Sequence, residues 1–213
     1  MRNTEGFYDR VILPRVLNCV CGLPSIMKSR SLVVPRAKGC VLEIGMGSGL
    51  NLSLYDSKKV DFVWGLEPSS EMRKLAQSRL DGSTVEVEWI NLPSERIPLD
   101  DKSVDTVVLC FTLCSIFDWK SALLEMHRVL KPQGELLFCE HGLAPDHNVV
   151  LWQNRLNGVW SSLAGGCQLN RPVLKCFAET GFHVCDLKQE YVSYPKFASY
   201  ISLGMAKKSL DLN

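Results

Sequence analysis

In the stretch VLEIGMGSG, residues 41–49, three glycines fall at every second position: Gly45, Gly47 and Gly49. Glycine inside a strand weakens it. The spacing therefore marks a place where the backbone bends or lies against something that leaves no room for a side chain. One carboxylate, Glu43, stands two residues before the first glycine, and another, Glu67, follows 18 residues after the last. A nucleotide-triphosphate loop requires G-x-x-x-x-G-K-[ST], and no lysine follows Gly49. A dinucleotide loop requires G-x-G-x-x-G, which would put the third glycine where Leu50 stands. Here the third glycine comes one residue early, and Glu43 has the wrong sign for phosphate. The pattern suits a phosphate-free nucleoside carrying an ammonium group. Glu43 would meet or orient the amine, and the backbone over Gly45, Met46, Gly47, Ser48 and Gly49 would lie along the ligand. Glu67 would accept both ribose hydroxyls in a bidentate contact. S-adenosylmethionine, with its amine, sulfonium, ribose diol and adenine, has that chemistry.

Elements of the right kind surround these residues. CVLEIG (40–45) reads as a buried strand, SLYDSKK as a short helix end, and DFVWGLEP (61–68) as a second strand. SSEMRKLAQSRL (69–80) opens on serine caps and spaces Met72, Leu75, Ala76 and Leu80 along one helical face. TVEVEWI (84–90) alternates as a third strand, and DTVVLCF (105–111) is a continuous apolar run, as a central parallel strand requires. WKSALLEMHRVLKPQG (119–134) predicts an amphipathic helix stopped by Pro132 and Gly134, and ELLFCEH (135–141) a fifth strand. A helical segment, a capped helix near Pro172 and two closing strands, FHVCDLKQEYV and FASYISLGMAKK, complete the pattern. The expectation is an α/β, Rossmann-like, doubly wound sheet of seven strands with helices on both faces. It is mostly parallel, with an antiparallel C-terminal strand. A single domain is expected over residues 1–213, in three parts. Residues 1–38, interrupted by Pro14 and Gly22-Leu23-Pro24, form a helical extension or lid, 39–145 the cofactor-binding half, and 146–213 an acceptor-side insertion with the closing strands.

Composition narrows the function classes. The chain has 213 residues, 46% hydrophobic and 22% charged, with a formal net charge of +1 and both signs scattered. Such a surface has no electrostatic footprint for nucleic acid or anionic lipid. Nine cysteines, an odd number with no C-x-x-C pair, read as reduced and mostly buried thiols. No set of His, Cys and carboxylates shows metal-ligand spacing, so no metal is expected. The N-terminus is too polar for a signal peptide and VLNCVCGLPSIM too short to span a bilayer, which points to a cytoplasmic protein without a transmembrane segment.

VLEIGMGSG, GLEPSSEM, DDKSVDTVV and MHRVLKPQGELLF, in this order and spacing over about residues 40–140, resemble the successive motifs of class I S-adenosylmethionine-dependent methyltransferases. LCFTLCSI (109–116), FCEHG (138–142), Trp152-Gln153, Trp160 and GGCQLNR (165–171) resemble a subgroup of small bacterial methyltransferases and animal alkyl-thiol S-methyltransferases. The animal members carry a membrane-anchoring N-terminal segment that is not carried over here. The resemblance implies S-adenosylmethionine as cofactor, S-adenosylhomocysteine as product and a small lipophilic acceptor such as a thiol. The other acceptors weighed are a quinone or phospholipid precursor; binding of the cofactor without turnover is the non-enzymatic reading. Relatives in the wider superfamily place an aspartate after the third strand to hold the adenine amino group. Here Pro93 occupies that place in NLPSERIPL, and Ser94 and Glu95 are the substitutes. Pro68, Met72, Phe111 and Thr112 complete the expected cofactor contacts.

Methyl transfer from a sulfonium is an in-line displacement, and a base is needed only if the acceptor is protonated. His141, at the end of the fifth strand after Glu140, is the expected catalytic base for a thiol; the plainer reading is a strand-capping hydrogen bond. His127, His147 and His183 fit surface or packing roles. Cys114 lies on the expected floor between cofactor and acceptor, as a reactive thiol or a small buried filler. Trp152, Trp160 and the turn ending at Cys167 are expected at the acceptor pocket, or else as cover for the core. Tyr8, with Arg10, would serve in a lid or in a simple packing helix.

Overall fold

Runs such as VLEI and TVVLC are apolar on both faces but for one polar residue each, so they persist only when both sides are covered. The computed structural model, which describes residues 6–209, arranges them in that way. Seven strands are numbered in chain order: β1 (Gly39–Ile44), β2 (Val60–Leu66), β3 (Val87–Ile90), β4 (Val104–Cys110), β5 (Leu130–His141), β6 (Phe182–Tyr191) and β7 (Tyr200–Lys208). They form one sheet in the order β3-β2-β1-β4-β5-β7-β6. β7 runs antiparallel to both its neighbours, and the remaining pairs are parallel. The strand order reverses between β1 and β4, so the loops after these two strands diverge and leave a crevice at their carboxyl ends.

The pleat sends alternate residues to opposite faces. On one face Leu42, Ile44, Leu109, Leu136 and Phe138 pack with Leu123 and Met126 of α4 (Trp119–Val129) and Phe177 of α6 (Val173–Glu179). The rings of Phe138 and Phe177 meet edge to face, 4.9 Å between centroids. On the other face Val41, Val108, Leu137 and Cys139 pack with Val33, Val34, Leu52 and Tyr55, and Leu80 of α3 (Ser70–Asp81) joins them.

Boundaries differ from the sequence expectation for local reasons. The helix expected to Gly134 ends at Val129. Lys131 precedes Pro132, a position that disfavours helical backbone, and Leu130 already has ψ 134, so β5 begins there rather than at residue 135. After β1 the chain makes a 3-10 turn, Leu52–Leu54, in place of a helix end. β3 keeps only four residues of the seven expected. Pro14 does not interrupt the N-terminal region. It lies in the first turn of α1 (Leu13–Cys21), where a missing N–H leaves no bond unmade.

A π-helical turn (Tyr8–Ile12), α1 and α2 (Pro24–Ser31) lie over the carboxyl ends of the strands, with Leu13 inward and Phe7, Val16 and Val20 outward. Among the described residues no single helix is long and apolar enough to cross a membrane; Tyr8–Cys21 and Pro24–Arg36 pass that test only together and are bent by 65°.

Phe138 is fully buried at the centre of the larger cluster. Phe138→Ala is expected to cost about 3–5 kcal/mol, read as a lower urea midpoint at unchanged m-value.

Candidate cofactor and acceptor site

The crevice holds a cavity of about 640 Å³, within the range of small-molecule sites. Its floor is the ends of β1, β2, β4 and β5; its roof is the N-terminal helices. Its far wall is the end of α5 (His147–Leu163), the turn at 165–167 and the β6–β7 connection.

The glycines of the first turn have separate reasons. All three have positive φ: 64° at Gly45, 59° at Gly47 and 74° at Gly49. A side chain at Gly45 would collide with Thr112, at 2.4 Å, and one at Gly49 with Leu52, at 2.8 Å. At Gly47 the nearest neighbour would be the end of the flexible Met72 side chain, 3.2 Å away, so Gly47 leaves the backbone bare toward the cavity. Gly49 does not border the cavity. Its place in the pattern is accounted for by packing, which corrects its expected role as a contact.

Glu43 does not border the cavity either, which corrects the expected contact with the ligand amine. Its carboxylate is buried and accepts from Asn51 Nδ2 at 2.8 Å and from the Tyr55 hydroxyl at 2.7 Å. Asn51 Oδ1 in turn accepts from Arg30 Nη1 at 2.9 Å. Burial pushes Glu43 up to about 7 despite those donors. Arg30 is the group at the wall: 5% exposed, its guanidinium 5.0 Å over the Phe111 ring, its Nε buried without a partner. A buried cation with an unspent donor fits a carboxylate, such as that of a methionine moiety. Nothing in MKSRSL separates this arginine from a surface residue; only the fold does.

Glu67, at the end of β2, does border the cavity. One oxygen accepts from the Gly47 N–H at 3.0 Å and the other from the Ser69 N–H at 2.9 Å, so the carboxylate fixes the bare turn to the start of α3. Burial raises its pKa. Each oxygen keeps a further lone pair, as a bidentate diol contact requires. Met46, Ser48, Pro68 and Met72 also border the cavity, whereas Ser94 and Glu95 do not. Those two are held in a turn closed by Arg96 N–H to the Pro93 carbonyl, so the expected adenine contacts are not at the wall.

After β4 the chain turns sharply. Phe111 has φ 55°, costly for a residue with a side chain. The turn is held by Phe111 N–H to the Cys139 carbonyl at 2.9 Å and by Thr112 N–H to Glu140 Oε1 at 2.8 Å. Glu140 is fully buried and pushed up to about 7 by that burial; its other oxygen has no partner. An acidic residue inside an apolar strand was the available signal for this brace. Phe111 and Thr112 border the cavity.

His141, Cys114, Cys167 and Trp160 also line the cavity. Gly165 and Gly166 have φ 62° and 87°, which lets the turn approach closely, and Gln168 N–H donates to the Cys114 carbonyl at 2.9 Å. As a result Cys167 Sγ lies 3.4 Å from Cys114 Sγ and 3.7 Å from His141 Nδ1. The hydrogen bond they share pushes Cys114 up and holds Cys167 below the ordinary thiol value. His141 is 6% exposed and its Nε2 has no partner. The absence of metal-ligand spacing in the sequence therefore does not extend to space. Cys167 stands 53 positions from Cys114 and 26 from His141, yet the ligand atoms of the three lie within 4.8 Å of one another.

Two acceptor-side expectations are corrected. Trp152 is 54% exposed on α5 under Arg155, with Gln153 facing inward in its place. Gln153 is fully buried and bonds the Gly142 carbonyl and the Ala144 N–H, the polar demand that turns the helix this way. Tyr8 donates to the Leu163 carbonyl at 2.6 Å and does not border the cavity; its neighbours Asp9 and Arg10 do.

Residues 42–138 match the family model described as a methyltransferase domain. Among curated proteins, the chain is 33% identical over 153 residues to the thiol S-methyltransferase TMT1B of Rattus norvegicus, covering 70% of this chain and 62% of that protein. It is 32% identical over 123 residues to the ubiquinone/menaquinone biosynthesis C-methyltransferase UbiE of Rubrivivax gelatinosus, covering 56% and 47%. The chain thus spans less than two thirds of either relative's length. Among solved structures, an S-adenosylmethionine-dependent methyltransferase from Methanosarcina mazei shares the fold with TM-score 0.62 at 20% identity, covering 81% of this chain and 93% of that one.

Native Glu43 keeps its proton to about pH 7, whereas the unfolded chain releases it near the ordinary 4.5. Between those values the native state holds more protons, so stability falls as pH rises through the window and levels above it. The contribution is about 3 kcal/mol. Urea unfolding at pH 5 and pH 8 is expected to show Glu43→Gln losing less stability than the wild type by about that amount. Parallel pH curves for the two proteins would show that Glu43 is ionised throughout.

Proposed function

We propose that the chain is an S-adenosylmethionine-dependent methyltransferase, as its similarity to that family suggests, and that it methylates the sulfur of a small, apolar thiol. The observation that carries this reading is that one cavity is bordered both by Glu67, Gly47 and Arg30 and by a histidine and two thiols, with Leu13, Leu17, Trp160 and Ala164 among its apolar walls.

When bound, S-adenosylmethionine supplies a methyl carbon on a sulfonium that is already a good leaving group. Alignment then supplies the main advantage, up to about 7–11 kcal/mol in favourable intramolecular cases. In this reading Glu67 receives the ribose hydroxyls through its free lone pairs, and Arg30 receives the carboxylate through its unspent Nε. Met72 and Pro68 offer apolar surface to the base. Phe111 and Thr112 form the floor under the methyl group. A thiol of pKa about 8.5 is only a few per cent thiolate at pH 7, so its nucleophilicity depends on groups that draw the proton away. Cys114, His141 and Cys167 are the groups placed to do so.

The name of the rat relative supports a thiol; that of the bacterial relative supports a quinone precursor, which makes it the competing acceptor. Incubation with labelled S-adenosylmethionine and a panel of alkyl thiols, quinone-precursor phenols and lipids is expected to label the thiols. Label confined to the phenols or lipids would replace the acceptor, and binding without label on any acceptor would leave a non-catalytic binding protein. Calorimetry with S-adenosylhomocysteine is expected to show Glu67→Ala weakening affinity by about 2 kcal/mol, the scale of a charged hydrogen bond; an unchanged affinity would remove the ribose contact. His141→Ala is expected to lower thiol turnover at pH 7 by about 10²-fold, the low end for assisted proton removal.

A further inference from the structure

On the wall of the cavity, Cys114, His141 and Cys167 form a group that the fold brings together. The three residues come from the loop after β4, the last position of β5 and the turn after α5. Their sulfur and nitrogen ligand atoms lie within 4.8 Å of one another. A tetrahedral zinc ion with bonds of about 2.3 Å to sulfur and 2.0–2.1 Å to nitrogen requires about 3.8 Å between two sulfurs and about 3.6 Å between sulfur and nitrogen. The structure has 3.4 Å between Cys167 Sγ and Cys114 Sγ and 3.7 Å between Cys167 Sγ and His141 Nδ1. The imidazole is nine-tenths buried and borders the cavity, and the nitrogen it turns toward Cys167 is Nδ1, so that atom is the one placed to ligate.

We propose that Cys114, His141 and Cys167 bind one zinc ion whose fourth coordination position opens into the cavity and takes the sulfur of the acceptor thiol. Two thiolates and an imidazole in this arrangement select a borderline-soft, tetrahedral divalent ion over magnesium or calcium, which take oxygen ligands. Three protein ligands with one open position is the composition of catalytic rather than structural zinc sites.

This inference rests on the thiol reading for its fourth ligand, and it assigns His141 as a ligand rather than a free base. On coordination the acceptor R–SH loses its proton to solvent, because a metal-bound thiol is deprotonated outright. A sulfur lone pair then forms the new bond to the methyl carbon, and the bond from that carbon to the sulfonium breaks. Its electron pair stays on the cofactor sulfur, giving S-adenosylhomocysteine. The product R–S–CH3 is a neutral thioether and a poorer ligand for zinc than the thiolate it replaces, so it leaves. No oxidant or reductant enters.

The test uses the full chain, freed of metal by chelator, kept reduced with a phosphine, and titrated with Co2+ as a spectroscopic stand-in for zinc. The expected result is one equivalent bound per chain with a thiolate-to-cobalt charge-transfer band and tetrahedral ligand-field bands. Zinc should displace the cobalt, and an alkyl thiol should shift the bands. Cys114→Ser and Cys167→Ser should each diminish the charge-transfer band, the double variant should lose it, and His141→Ala should weaken binding at least tenfold. Cys185→Ser, on an exposed strand position, should leave the stoichiometry unchanged. Retained binding of S-adenosylhomocysteine by each variant shows that it is folded. The proposal is overturned if no thiolate–cobalt band develops, if the band survives in the Cys114→Ser/Cys167→Ser double variant, or if thiol turnover in metal-free protein equals that of the zinc-loaded form. In the last case the thiol reading stands while the metal falls. Stoichiometric zinc with no thiol methylated and no band shift keeps the metal and removes the thiol, and with it the proposed fourth ligand.

Discussion

One buried chain of hydrogen bonds ties the two ends of the site's architecture together: Arg30 to Asn51, Asn51 to Glu43, and Tyr55 to the same carboxylate. Arg30 belongs to the N-terminal helices, Glu43 to the first strand, and Asn51 and Tyr55 to the segment between that strand and β2. A buried cation without a partner is costly. Here Arg30 meets no carboxylate directly among the described residues: the Asn51 amide stands between it and Glu43, whose proton burial holds to about pH 7, so the guanidinium is met by an oriented dipole. That arrangement fixes α2 over the strand ends and presents the guanidinium to the cavity. The carboxylate of Glu43 acts at one remove: it orients Asn51, which orients Arg30.

A second buried carboxylate works in the same way on the far side of the switch point. Glu140 accepts from the loop after β4 and holds Phe111 in a left-handed conformation. The strained corner puts the Phe111 ring beneath Arg30 and Thr112 against the bare Cα of Gly45. The alternating glycines are therefore as much a response to the protein's own packing as to a ligand. Thr112 and Leu52 fill the space a side chain would need at the first and third positions, and only the middle one faces open volume.

These relations explain what could be read from the residues alone. Buried apolar runs alternating with amphipathic segments identify the strand–helix order, because each run admits little besides a covered strand. Glu67 was legible because its place at the end of the second strand follows from topology. Glu43 was misplaced by the same logic: a carboxylate near a ligand loop suggests contact, and sequence does not reveal that Asn51 and Tyr55 face it. Arg30 was invisible, since an arginine in a short helix resembles any solvated one. Trp152 faces outward because the Gly142 carbonyl and the Ala144 N–H are met by the inward amide of Gln153, a demand that no local spacing reveals. The convergence of Cys114, His141 and Cys167 lies beyond any local spacing rule, being a product of three loops meeting at one edge of the sheet.

The roof over the strand ends is tied to the turn beneath it. α1 is bonded to the first turn through Ser48 Oγ, which donates to Asn18 Oδ1 at 2.7 Å, and α2 is bonded to the segment after it through Arg30 and Asn51. The segment between the first strand and β2 therefore carries the roof as well as part of the floor, so a change in that one short stretch repositions both walls of the crevice together.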